Sequence, residues 1–189
     1  MIKMLKKISL ALFCLIGITA NAQTKFFTKK GKITFDATTS TSPEQIRGRN
    51  QNVISVIDMS TGAMEFMLSM TAFEFEKALM GEHFNENYVE SEKYPKANFK
   101  GNITNFKSIN MAKDGVQNVT VSGNLTMHGV TKEVQATGTV TIQKNAIVAA
   151  KSEFKATLSD YKIEIPGLVA DKVAKDAKIT VDLTLDPVK

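Results

Sequence analysis

Thiol chemistry is nearly absent: Cys14 is the one cysteine among 189 residues, which leaves no pair for a disulfide and no cysteine set for a metal. Histidine is almost as scarce. His83 lies in His-Phe-Asn-Glu-Asn without the second histidine of a helical zinc site, and His128 has no partner at motif spacing. No nucleophile elbow, phosphate loop or dinucleotide fingerprint occurs. The four prolines and eleven glycines are scattered, with no linker rich in Pro, Gly or Ser, so the chain reads as one domain with a core of ordinary size. Its one long apolar run, Ile8 to Ile18, is about eleven residues, short of the ~20 that a membrane span requires.

That run follows Lys3, Lys6 and Lys7 and precedes Ala20-Asn21-Ala22, small residues spaced as signal peptidase requires. Residues 1–22 are expected to be a cleavable signal peptide, and residues 23–189 an exported domain, periplasmic or secreted. A membrane anchor is the alternative reading of the same run. Cleavage removes three of the 24 Lys and Arg and none of the 19 Asp and Glu, so the net charge falls from +5 to +2. The pI of about 9.2 then belongs largely to the leader, and nucleic acid is not an expected partner. Cys14 leaves as well.

What remains alternates with a period of two. Val119, Val121, Gly123, Leu125 and Met127 alternate with polar neighbours, and so do Val134, Ala136, Gly138, Val140 and Ile142. These are half-buried strands. The short His128-Gly129-Val130-Thr131-Lys132 link permits only antiparallel pairing. Further strands are expected from Val148 to Leu158, over Ile179 to Leu185, and near Ile33 to Ala37, Val53 to Ile57, Met64 to Ala72 and Ala97 to Thr104. Met80, Phe84 and Tyr88 recur at intervals of four while Glu82, Glu86 and Glu90 lie on a neighbouring face, which fits a short helical insertion.

About eight antiparallel strands predict an all-β closed barrel or a sandwich. Many inward positions are small: Ala37, Ala136, Gly138, Ala150, Ser152 and Ala156. Two packed sheets need bulk between them, whereas an eight-stranded barrel lined this way holds a cavity for one elongated ligand. Phe35, Phe66, Phe99 and Phe154 filling that space themselves is the alternative. Strand phase gives the candidate ligand-binding residues as Phe35, Phe66, Leu68, Met70, Phe99, Leu125, Met127, Phe154 and Leu158. The connection from Asp160 to Lys178 carries Tyr161, Ile163, Ile165, Leu168 and Val169 around Pro166-Gly167, either a cover for the opening or an ordinary packed loop.

Met80-Gly81-Glu82-His83-Phe84, Tyr88-Val89-Glu90-Ser91-Glu92-Lys93-Tyr94-Pro95, Ala97-Asn98-Phe99 and Gly123-Asn124-Leu125-Thr126-Met127-His128-Gly129-Val130-Thr131-Lys132 resemble the YceI-like polyisoprenoid-binding family. The resemblance runs from about Gly31 to the C-terminus. It implies an eight-stranded antiparallel, lipocalin-like barrel with an apolar pocket for an isoprenoid or another long amphiphile. Two positions depart from the family pattern, Lys32-Ile33-Thr34-Phe35 where a histidine is frequent, and Lys162 where a glycine often follows the Asp160-Tyr161 pair. With no tryptophan, the Gly-x-Trp signature of true lipocalins is missing, so that likeness is architectural.

The expected function is lipid binding, as carrier or buffer, with an isoprenoid quinone, polyprenyl lipid or fatty amphiphile as ligand and transient membrane contact. No cofactor, metal or catalytic residue is expected. Glu74, Glu76, Glu82, Glu86, Glu90 and Glu92 read as a solvated face rather than paired catalytic carboxylates, and His128 as a residue bonded within its turn. A scaffold or stress protein with a filled core and an enzyme acting on a bound lipid are the alternatives.

Overall fold

The computed structural model describes residues 24–188, and the expected signal peptide lies outside them. The strands are β1 (Lys25–Thr38), β2 (Arg47–Asp58), β3 (Ala63–Ser69), β4 (Glu74–Phe75), β5 (Lys96–Ile103), β6 (Gly115–Met127), β7 (Val130–Gln143), β8 (Ala146–Thr157), β9 (Val173–Thr184) and β10 (Asp186–Pro187). Eight are long, and β4 and β10 are two-residue additions. The long strands run in the order β1-β2-β3-β5-β6-β7-β8-β9, and β1 pairs with both β2 and β9. All pairings are antiparallel. The sheet therefore closes into the expected barrel, and closure leaves no long unpaired edge.

The barrel hairpins are tight where the backbone turns left-handed. His128 and Gly129 (φ 51° and 72°) join β6 to β7, and Lys144 and Asn145 (φ 51° and 62°) join β7 to β8. Two consecutive positive φ values make the two-residue turn whose twist matches the flanking strands. The first connection is thus shorter than the five residues read from the sequence, because a histidine in this conformation is not announced by its residue type.

Several strands are longer than their apolar pattern. β1 begins at Lys25 rather than near Ile33, because register shifts around Gly31 interrupt its alternation while pairing with β2 continues. A Cβ at Gly31 would come within 2.6 Å of Leu183 Cδ2, so the bulge also lets β9 approach. β2 begins at Arg47, and its polar start hides a buried polar side chain: Asn50 is fully buried, donating to the Ser69 carbonyl at 2.8 Å and accepting from the Asn52 amide at 2.9 Å. β9 starts at Val173, so the connection before it is shorter than the span to Lys178.

The helical insertion between β4 and β5 is α1 (Ala78–His83) followed by a π turn over Phe84–Tyr88. The Val89 amide donates to the Phe84 carbonyl at 2.9 Å, the wide bond of that turn. Met80, Phe84 and Tyr88 face the barrel and Glu82, Glu86 and Glu90 are exposed, as the spacing predicts.

Antiparallel order places the 39–46 loop, the insertion, the His128 turn and the 158–172 connection at one end of the barrel. At the opposite end Phe26, Ile57, Ile103, Ile142, Ile147 and Leu183 are each at most 2% exposed and fill the interior. That end is a solid plug.

Candidate ligand-binding cavity

Toward the loop end, inward side chains stop meeting one another. Phe35, Phe66, Met127, Phe154 and Ile179 point inward yet are only half-buried, because they face an open space of about 430 Å³, within the range of ligand sites. Small residues make the room: Ala97, Ala156 and Ala177 lie on its wall. The wall is almost wholly apolar. Its polar groups, Glu44, Lys77, His83, Tyr88 and Lys172, come from the loops and the insertion rather than from the strands.

Of the residues picked by strand phase, Phe35, Phe66, Leu68, Met70, Leu125, Met127, Phe154 and Leu158 line this space. Phe99 does not. Its ring lies flat over the cross-strand pair Gly101 and Gly123, where a Cβ on either glycine would come within 2.6 to 2.7 Å of Phe99 Cζ. Phe66 then stacks on it from the cavity side. Phase fixes the face of a strand, but here a second aromatic layer lies on top of the first.

The roof was less legible. Phe84, 6% exposed, packs against Phe35, Phe73 and Phe75 with centroids 5.6, 5.3 and 4.9 Å away. All four line the cavity, as do Ile46, Ile163 and Val169 from the loops. Strand phase pointed to Phe35, the helical spacing to Phe84 and the apolar 160–178 connection to Ile163 and Val169, whereas Phe73, Phe75 and Ile46 carried no signal. The 158–172 connection is thus part of the wall.

The mouth is laced together. The Thr39 hydroxyl donates to the Asp171 carbonyl at 2.9 Å, and the hydroxyls of Thr41 and Ser42 donate to the Asp171 and Lys172 carbonyls. Glu44 pairs with Lys77, joining the same loop to the insertion. Asn87 Nδ2 donates to His83 Nδ1 at 3.0 Å. Burial pushes the Tyr88 hydroxyl above its ordinary range, so it meets a ligand as a neutral group. Among the described residues no three His, Cys, Asp or Glu side chains are grouped to hold a metal.

No curated protein matches the chain. Several solved structures share its fold. A polyisoprenoid binding domain from Saccharophagus degradans, implicated in plant cell wall breakdown, is 13% identical with a TM-score of 0.72 over 88% of this chain and 99% of that one. BcnA of Burkholderia cenocepacia is 14% identical, TM-score 0.63, over 82% and 95%. The YceI protein of Campylobacter jejuni is 15% identical, TM-score 0.58, over 80% and 90%. At these identities the likeness is one of fold. The YceI-like domain model matches residues 16–185, nearly the whole barrel with its cavity, and the chain belongs to the family of YceI-like domains.

Proposed function

We propose that the protein is an exported carrier or buffer for a long-chain amphiphile, an isoprenoid quinone, a polyprenyl lipid or a fatty amphiphile, and performs no catalysis on it. The observation that carries this reading is the apolar cavity of about 430 Å³ with its polar groups confined to the mouth. An apolar tail lies along the barrel axis toward the plug, and the head stays at the rim beside Tyr88, His83 and Lys172. Burial supplies the affinity: at about 25 cal/mol per Å², removing ~400 Å² of tail from water is worth ~10 kcal/mol, before association and ordering costs. The similar domain of Saccharophagus degradans is a polyisoprenoid binding domain, which supports the ligand class proposed for this chain. Export, to the periplasm or outside the cell, is supported by the leader pattern of residues 1–22.

A solid scaffold needs a filled interior, and the open space counts against it. Native mass spectrometry of protein purified from the envelope of its own host tests the reading. A retained mass in the lipid range is the expected result. Apo protein only, from envelope fractions prepared without detergent, overturns it.

A further inference from the structure

Both ring nitrogens of His128 face acceptors. Nδ1 lies 2.8 Å from the Tyr161 carbonyl oxygen and Nε2 2.8 Å from Glu90 Oε2. A carbonyl oxygen only accepts, so Nδ1 carries a hydrogen in that bond. An ionised carboxylate also only accepts, so Nε2 must carry one too. Only the imidazolium satisfies both at once. A neutral ring that keeps the Tyr161 bond turns a lone pair toward the Glu90 carboxylate.

The three groups belong to three stretches of the cavity wall. Glu90 follows the lining residues Tyr88 and Val89, His128 follows Met127, and Tyr161 lies between Leu158 and Ile163. They are brought together from 38 and 33 residues apart. The imidazole is 9% exposed and Tyr94 covers it edge-on at 4.7 Å. Backbone strain gathers here as well. Five non-glycine residues among those described have positive φ. Two form the hairpin at the plugged end, and the other three are Glu90 (44°), His128 (51°) and Lys162 (58°), next to Tyr161. Left-handed backbone in such residues is held only where surrounding contacts over-determine it.

We infer that protonated His128 is a positioning residue that clasps these three wall segments, so that retention of a ligand in the cavity is coupled to pH. The inference rests on the ligand-binding reading. Loss of the Nε2 proton replaces a charge-assisted bond by two opposed acceptors, freeing the insertion from the hairpin beside Val89 and Met127. The other ionisable groups around the clasp are Lys93 and Tyr94 on the insertion, with Lys93 Nζ 3.9 Å from Glu90 Oε2, Asp160, Tyr161 and Lys162 around the accepting carbonyl, and Lys132 and Glu133 farther along β7. Among the described residues Glu90 is the hydrogen-bond partner of Nε2, so none of these groups takes its place.

The test is stopped-flow release of N-phenyl-1-naphthylamine, uncharged across the range, at about pH 5.5 and about pH 8.5. Wild type is expected to release it roughly tenfold faster at the higher pH, the scale of one lost charged hydrogen bond. H128Q releases it fast at both. E90Q releases it slowly at both, because the glutamine amide donates to a neutral Nε2 while Nδ1 keeps Tyr161. A wild-type slope in H128Q, or fast release at both pH values in E90Q, overturns the clasp; should H128Q fail to fold, E90Q decides alone. A probe that binds at no pH counts against the ligand reading instead. The clasp is then read by hydrogen exchange of the Lys162 and Ile163 amides, corrected for intrinsic rate: protection that falls with pH in wild type and not in E90Q is expected, and equal behaviour overturns it.

Discussion

The Phe66 ring lies on the Phe99 ring with centroids 5.1 Å apart and planes 14° from parallel. The two residues are directly paired across β3 and β5 and have opposite tasks. Phe99, 4% exposed, fills the hollow left by Gly101 and Gly123. Phe66 covers it and forms the cavity floor.

Truncating the lower ring should therefore cost stability and truncating the upper one should change capacity. Phe99→Ala leaves a void that the sheet cannot close and is expected to lose about 3–5 kcal/mol in urea unfolding. Phe66→Ala opens onto space already present, so its loss should be smaller and the cavity should take a bulkier probe. Equal losses would show that the layers are not distinct.

Most of the barrel could be read from alternation alone, because the strands from Val119 onward have one apolar and one polar face except where a register shift at the start of β8 turns Ile147 inward, and eight of nine candidate residues reach the cavity. What could not be read depends on contacts that leave no period. Phe99 belongs to the inward set, but its place behind Phe66 depends on two glycines meeting across strands. Asn50 is buried in a polar stretch because its amide is satisfied there. His128, expected to bond within its own turn, instead bonds Glu90 and the Tyr161 carbonyl, residues remote in sequence, so the turn could be located but not its partners.

Tyr161 is 2% exposed and its hydroxyl has no hydrogen-bond partner among the described residues. Burial, and secondarily the charge of Asp160, push that hydroxyl above its ordinary range. Removing an unsatisfied buried hydroxyl relieves its desolvation cost, so Tyr161→Phe is expected to gain about 1 kcal/mol, measured by urea midpoint. The backbone carbonyl that serves His128 is unchanged, so the pH dependence of release should be too.

Asp36 gives the fold an acid-sensitive contact near the mouth. Burial raises its carboxyl, but bonds from Thr38 and the fork of Arg47, at 2.9 and 2.6 Å, outweigh that and hold it below the usual carboxylate range. A lowered folded value contributes stability that is present above the unfolded value and lost as pH falls through the folded one. Asp36→Asn should thus be less stable than wild type at neutral pH, with the gap closing below about pH 4. Urea midpoints across that window check it, and a gap constant with pH would assign the contact no ionic part.

Loading bears on the rim. Leu168 is 92% exposed and Leu79 60% exposed, one beside the lining residue Val169 and the other on the lining itself. On the carrier reading, two leucines framing the apolar opening would enter the outer layer of a bilayer from which a ligand is drawn, each contributing about 2 kcal/mol on burial. The carrier reading thus predicts that Leu79→Asp with Leu168→Asp slows uptake of N-phenyl-1-naphthylamine from phosphatidylcholine vesicles by roughly tenfold or more. Surface changes of this kind should leave the unfolding midpoint within about 0.5 kcal/mol of wild type. Uptake from vesicles at the wild-type rate would place the route of entry elsewhere on the barrel. Uptake that slows equally from free solution would mean that the leucines act on the cavity and not on the membrane.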